Sequence, residues 1–362
     1  MKRRDFTIGS VLILVFCLAT PGFMTASADW KRVAQSEALA DLEIRGITGL
    51  AVGKDGSVYL LDSNRRRVTR LDPRLRKINA FGGPGEGPGE FNRPFSIGIH
   101  GEGEIVVTDA HKKFTLFDSR GRLVREIRMP PGCHVIEGYL LDYPLAIGTK
   151  MNTAHPRAGY NAILFHLEEG KVLAEYPLRF SPLAGIRTRQ GGFMAPSLPG
   201  VGGHCWIEAR GGLCLLGEGE RWDVRLVAVT GEYRARVCKE LPTDELTPKE
   251  WDYLVQKIEK RFPGMFAGTD IRRAVKHYQT RNPVYGLRMD TDRFYVFLGP
   301  ADLTRDDITT AEVYDLEGKH QGSLDFPKIP LHMNRGIAYW IETREGDGET
   351  TRHLCKVRIP DQ

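Results

Sequence analysis

Two stretches of the chain are copies of one pattern, separated by a run of glycines. The first is GITGLAVGKDGSVYLLDSNRRRVTRLD (Gly46 to Asp72) and the second is FSIGIHGEGEIVVTDAHKKFTLFDSRG (Phe95 to Gly121). Gly56 recurs as Gly103 and Asp62 as Asp109, 47 residues on, while Asp72 recurs as Asp118, 46 on. Between the copies, Gly82 to Pro94 reads GGPGEGPGEFNRP. Each copy is made of short β-branched and aromatic runs closed by Gly or Asp, the pattern of strands joined by tight turns. A unit of this kind cannot bury both faces of its small sheet alone and must stack on further units. A repeat period in the forties with four strands per unit points to the blades of a β-propeller.

The strand rhythm places blade one at Ile47 to Val52, Val58 to Asp62, Arg67 to Asp72 and Arg76 to Phe81, and blade two at Pro94 to Arg128. A degenerate blade three runs from Val135 to Leu178, blade four from His204 to Leu241, and blade five from Val284 to Phe326. Three strands remain between Leu331 and Ile359, and the segment from Lys31 to about Leu39 can supply the fourth, closing the ring without an open edge. Gly82, Gly85, Gly87, Gly89, Phe91, Pro94 and Ile97, followed by Val107 to Asp109, resemble the NHL-repeat family of β-propellers. The resemblance covers the first two blades. With the insertions set aside, the remaining length divides into about six blades of 40–50 residues. The expected fold is all-β, a six-bladed β-propeller with four-stranded antiparallel blades and a short helical insertion between blades 4 and 5.

The first residues read as a targeting segment. MKRR precedes an apolar run from Ile8 to about Met24, and Ala26-Ser27-Ala28 is an A-x-A site. Residues 1–28 are therefore expected to be a signal peptide, and 29–362 a single propeller domain, periplasmic or extracellular and associated with a membrane only through the export signal. Arg3-Arg4-Asp5-Phe6 also resembles the twin-arginine export signal, leaving that route and the ordinary secretory route both open. The formal charge is +5, of which Lys2 to Asp5 contribute +2. A balance this mild gives no footprint for nucleic acid. Beyond the signal, Cys133, Cys205, Cys214, Cys238 and Cys355 are odd in number and irregularly spaced, which is not a disulfide framework. A turn at Gly211-Gly212 would set Cys205 opposite Glu218, out of reach of Cys214.

Two insertions interrupt the rhythm, near residues 180–203 and 243–281. The first is rich in Gly, Pro and Arg and reads as an irregular loop. The second is helical: Thr247-Pro248-Lys249-Glu250 is a capping box with proline at the first helical position. Trp251, Leu254, Val255, Ile258 and Phe262 follow at helical spacing until Pro263, and a second helix begins at Thr269. Both are amphipathic, so each needs an apolar surface, whether as rim packing or as a lid.

Blade connectivity sets which features share a face. The link from a fourth strand to the next first strand emerges beside the link from second to third strand. The glycine-rich segment, both insertions and the basic turns all belong to those two kinds of link. Arg65, Arg66, Arg67, Lys112, Lys113 and Arg93 are thus candidate ligand-binding residues on one loop-rich face. The glycine run lacks the Lys-Ser/Thr ending and following helix of a phosphate loop and reads as an interblade turn. Asp62 and Asp109, repeated at one blade position, suit hydrogen bonding to turn amides. No G-x-S-x-G element occurs. The leading expectation is a non-catalytic binding or scaffold module for a protein, peptide or glycan, with no cofactor. The alternative is a metal-dependent propeller enzyme, lyase or hydrolase, in which His134, His204 and His332 hold zinc or another divalent transition metal at the channel mouth. That arrangement is similar to the peptide-amidating lyases of the NHL type.

Overall fold

The second strand of blade one, Val58–Asp62, is buried at every residue. Side chains alternate between the two faces of a strand, so such a strand needs an apolar partner on each side. Leu60 enters a cluster with Tyr339 and Leu354. Leu61 enters another with Phe91, Ile105 and Val107. One small sheet is therefore sandwiched between two others, and that relation propagates around the molecule.

The computed structural model describes residues 30–360, apart from 102, 110–112, 130–136, 141–144, 153–158, 179–185, 188–192, 195–200, 202–204, 211, 220, 241–243, 267, 277–278, 305–308 and 347. Six four-stranded antiparallel sheets form the blades. Blade one is Ile47–Val52, Val58–Asp62, Arg67–Leu71 and Lys77–Gly82, and blade two is Pro94–His100, Glu104–Asp109, Lys113–Phe117 and Leu123–Arg128. Blade three is Glu137–Leu140, Leu145–Asn152, Gly159–His166 and Lys171–Leu178. Blade four is Cys205–Arg210, Leu213–Glu218, Trp222–Ala228 and Tyr233–Lys239. Blade five is Val284–Met289, Arg293–Leu298, Thr309–Asp315 and His320–Phe326. Blade six takes His332–Asn334, Ile337–Gly346 and Glu349–Arg358 from the end of the chain and Lys31–Ala38 from its beginning.

Lys31 pairs with Arg358 and Ala38 with His353, so the early strand is the outermost of blade six. Innermost strands of blades one and two, two and three, four and five, five and six, and six and one lie against each other. Between blades, one apolar cluster fills each gap, including that between six and one. Core burial is thus shared between neighbours rather than collected in one centre.

The glycine-rich segment is the joint between blades one and two. Phe91 is fully buried against Phe117, and its backbone is held by bonds with Gly83 and Gly85. Gly82 has φ +78°, and a Cβ there would come within 2.3 Å of the Phe91 ring. Only glycine fits both demands.

Helix α1 (Pro248–Arg261) and helix α2 (Gly268–Val275) lie between blades four and five, as expected. Thr247 caps α1, its side chain accepting from the Glu250 amide while the Glu250 carboxylate accepts from the Thr247 amide. The first insertion, expected as irregular, carries a short ladder of Ile186–Arg187 with Phe193–Met194. A two-residue pair has no periodicity to display in sequence. The register around the cysteines is the expected one: Cys205 faces Glu218, and Ala209 faces Cys214. Cys214 and Cys355 are buried free thiols and Cys238 is an exposed one, while Cys133 lies outside the described residues.

Candidate functional site: the loop-rich face

Asp62 ends the second strand of blade one, and its carboxylate organises the turns around it. It accepts from the amides of Arg45 (2.7 Å), Gly46 (3.1 Å), Asn64 (3.0 Å) and Arg65 (3.1 Å). Asp109 repeats the arrangement in blade two, accepting from Asn92 (2.7 Å) and Arg93 (2.6 Å). Each fully buried aspartate ties the entry of a blade to its second-to-third turn, so both kinds of link sit on one face. The repeated Asp therefore has a structural role, and four amide donors answer the charge of Asp62.

The candidate cations divide into two groups. Glu43, half exposed and at φ +58°, faces Arg65 (3.8 Å), Arg67 (3.0 Å) and Lys77 (3.2 Å). The bonds from Arg67 and Lys77 hold its carboxyl below the usual range. Lys113 is buried and donates to Glu126 at 2.6 Å and to the Gly87 carbonyl at 3.3 Å. Arg65, Arg67 and Lys113 are thus matched by acids. Arg66 and Arg93 make no side-chain ion pair among the described residues. Together with Ser63, Asn92, Pro94 and Phe95 they line an open depression of about 250 Å³ at the junction of blades one and two. Lys112 lies outside the described residues. Ser63, Asn92, Pro94 and Phe95 were not among the ligand-binding candidates from sequence; their signal was their position beside the repeated Asp.

The two insertions meet on the same face. Leu254, Val255 and Ile258 of α1 and Ile271 and Val275 of α2 cluster with Val201 of the first insertion and Leu303 from the second-to-third link of blade five. Beneath them Glu250 accepts from Arg281 (2.7 and 3.1 Å) and from the Leu303 amide (3.0 Å). The helices therefore spend their apolar faces on each other and on neighbouring loops.

His332 lies at the other end of the ring. The innermost strand of blade six has only three residues, so its first residue is already close to the first-to-second turn. There Arg210 Nη2 meets His332 Nε2 at 2.9 Å and also donates to the Met333 carbonyl. A guanidinium can only donate, so Nε2 accepts and the ring proton sits on Nδ1. Burial first, then the nearby Arg210 and Arg288, push His332 well below the ordinary histidine value. Glu208 and Asp290 supply the balancing carboxylates: Asp290 accepts from the Arg335 and Gly336 amides and lies 3.7 Å from Arg210. Burial pushes Glu208 up, against the pull of Arg288. Apart from His332, the members of this cluster carried no signal in the sequence, because they come from strand ends of blades four, five and six that are far apart along the chain. His134 and His204 lie outside the described residues. No group of three His, Cys, Asp or Glu placed to hold a metal occurs among the described residues.

A closed ring of six four-stranded blades with its insertions on one face defines a six-bladed β-propeller. No family model and no curated protein matches the chain. Among solved structures it is similar to a candidate exported protein from Bacteroides fragilis, at 10% identity and TM-score 0.54, over 92% of this chain and 95% of that one. A member of the duf4221 family from Bacteroides vulgatus is 12% identical with TM-score 0.48, over 92% and 95% of the two chains. At 10% identity the likeness to the Bacteroides fragilis protein is one of fold alone. No described helix is long and apolar enough to cross a membrane.

Proposed function

We propose that the chain is an exported, NHL-like propeller that serves as a non-catalytic binding or scaffold module, engaging a protein, peptide or glycan on its loop-rich face. The observation that carries this is the gathering of both insertions, the basic turns and the Arg66–Arg93 depression on one side of the ring. Rigid blades supply the platform and the links supply variety, the usual division of labour in scaffolds that bind through loops. The NHL-like assignment rests on the glycine-rich joint and the VTD of blade two, Val107 to Asp109. Export rests on the basic start, apolar run and A-x-A site, with the Bacteroides fragilis neighbour as supporting company. His332 bears on the metal-dependent alternative: its Nε2 is already engaged by one guanidinium, with a second nearby, a setting that disfavours a bound cation.

The face is tested by obstruction. In a background with Cys133, Cys205 and Cys238 each replaced by serine, a cysteine at Asn64 on the loop-rich face or at Arg120 on the opposite face is coupled to a bulky polymer. Peptide and glycan arrays are then probed with each conjugate. Binding lost only with the Asn64 conjugate supports the reading; binding lost only with the Arg120 conjugate overturns it. Metal analysis separates the enzyme alternative, since a stoichiometric, tightly held transition metal in the purified protein would sink the non-catalytic reading. Replacing Arg3 and Arg4 by lysine stops export if the route is the twin-arginine one, and leaves it intact if it is not.

A further inference from the structure

Three depressions of the described surface differ in charge. In one, of about 320 Å³, Lys113 is matched by Glu126, with Glu86 and Asp109 also in the lining. In a second, also about 320 Å³, Asp223 binds both Arg225 and Arg236. The third holds Arg66 and Arg93 with no acidic residue among the described residues of its lining. Two guanidiniums that share a depression repel each other, and both stay charged at any working pH. Arg65 and Arg67, on either side of Arg66, both reach Glu43, whereas Arg66 and Arg93 make no ion pair among the described residues. Arg66 is moreover held at φ +54°, a conformation glycine or asparagine adopts more cheaply. An arginine kept at a strained turn position, lining one depression with a second arginine that has no ion pair among the described residues, is what a site for an incoming anion requires.

We propose that Arg66 and Arg93 form the anion subsite for an acidic peptide segment of a binding partner, which rests on the reading of the loop-rich face as the binding face. A Glu or Asp carboxylate of the partner sits between the two guanidiniums, within reach of the Ser63 hydroxyl. The half-buried Phe95 offers apolar surface to the residue beside it. The lining favours a peptide over an acidic saccharide. A uronate brings several hydroxyls that each need a polar partner, and beside its two guanidiniums the described lining offers only the Ser63 hydroxyl and the Asn92 amide, with an apolar edge. Asn92 is partly committed, its side-chain amide donating to Glu86 at 3.1 Å. The buried Asp62 and Asp109 beneath are screened by the backbone amides they accept from. Recognition of acidic motifs by arginine pairs is an established physical mode.

The test is a titration of the purified protein with fluorescent hexaglutamate and, separately, with trigalacturonate, at low and at moderate salt. Hexaglutamate is expected to bind and to weaken as salt rises. Arg66→Gln and Arg93→Gln are each expected to weaken it roughly tenfold, whereas Arg67→Gln, whose charge is already matched, changes it little. Arg66→Gly is the decisive variant: it relieves the positive φ, so it raises the melting temperature while lowering affinity, and damage to the fold cannot account for the loss. Undiminished binding by both Gln variants overturns the subsite. Tighter binding of trigalacturonate than of hexaglutamate overturns the peptide in favour of a saccharide. Failure of both probes overturns the anion site altogether, while the Asn64 and Arg120 conjugates still decide separately whether the face binds anything.

Discussion

At Glu250 five donors converge on one buried carboxylate: two from Arg281, the amides of Leu303 and Thr247, and the Thr247 hydroxyl. Burial alone would raise its pKa, but the Arg281 bonds and the amides outweigh it and bring it to about 2. A carboxyl lowered in the folded state stabilises above its unfolded value, and that contribution disappears as pH falls from about 4.5 toward 2. Trp251 packs against the same cluster, so its fluorescence on acid titration is expected to report opening of the insertion in that window. Glu250→Gln, which leaves Arg281 with only the exposed Asp244 at 3.3 Å, is expected to cost about 2 kcal/mol by denaturant unfolding at neutral pH. Gly82 makes a second residue-scale case. Alanine there must adopt φ +78° and displace the Phe91 ring, so Gly82→Ala is expected to lose about 3 kcal/mol in the same measurement. An unchanged midpoint would remove Gly82 from the joint between blades.

Elements were legible where the chain announces them locally. Strands of blades one and two are closed by Gly or Asp at repeating positions, and α1 declares itself through Thr247, Pro248 and Glu250. What escaped depends on side-chain direction rather than spacing. Arg65, Arg66 and Arg67 are consecutive, yet two of them turn toward Glu43 and one does not. Glu43 lies in the stretch before blade one, outside the repeat, so no periodic argument could pair it. Likewise Arg210 and His332 are far apart in sequence and meet only because blade six begins with a three-residue strand. The strand Lys31–Ala38 permits a prediction at this scale. Deleting it uncovers the edge of Glu349–Arg358, and the truncated protein is expected to associate with increasing concentration, where the intact chain does not. Light scattering across a dilution series checks this; a truncated form that stays monodisperse at the highest concentration contradicts it.

For the whole molecule, closure of the ring was foreseeable from a count of strands: three were left over at one end and one at the other. The six interblade clusters make each blade dependent on two neighbours, so the ring, and not the blade, is the unit of stability. Because Lys31 pairs with Arg358, the ends of the propeller can be joined by a short linker and the ring opened elsewhere. A permutant opened between Glu168 and Glu169, in an exposed turn of blade three, keeps every ladder and is expected to unfold within about 1 kcal/mol of the parent. A loss several times larger in chemical denaturation would show that connectivity matters beyond pairing.

The shared strand of blade six also has a consequence in time. Lys31–Ala38 is made early, and its partner Glu349–Arg358 emerges more than three hundred residues later. At ribosomal rates of about 5–20 residues per second, that interval is roughly a quarter of a minute to a minute. Throughout it the first strand lacks the sheet it belongs to, and the ring is fastened only once its last blade has emerged. The weak point of this protein is therefore its youth: a newly made chain carries a solitary strand awaiting its mate, and whatever shelters nascent chains in the cell must shelter that strand longest.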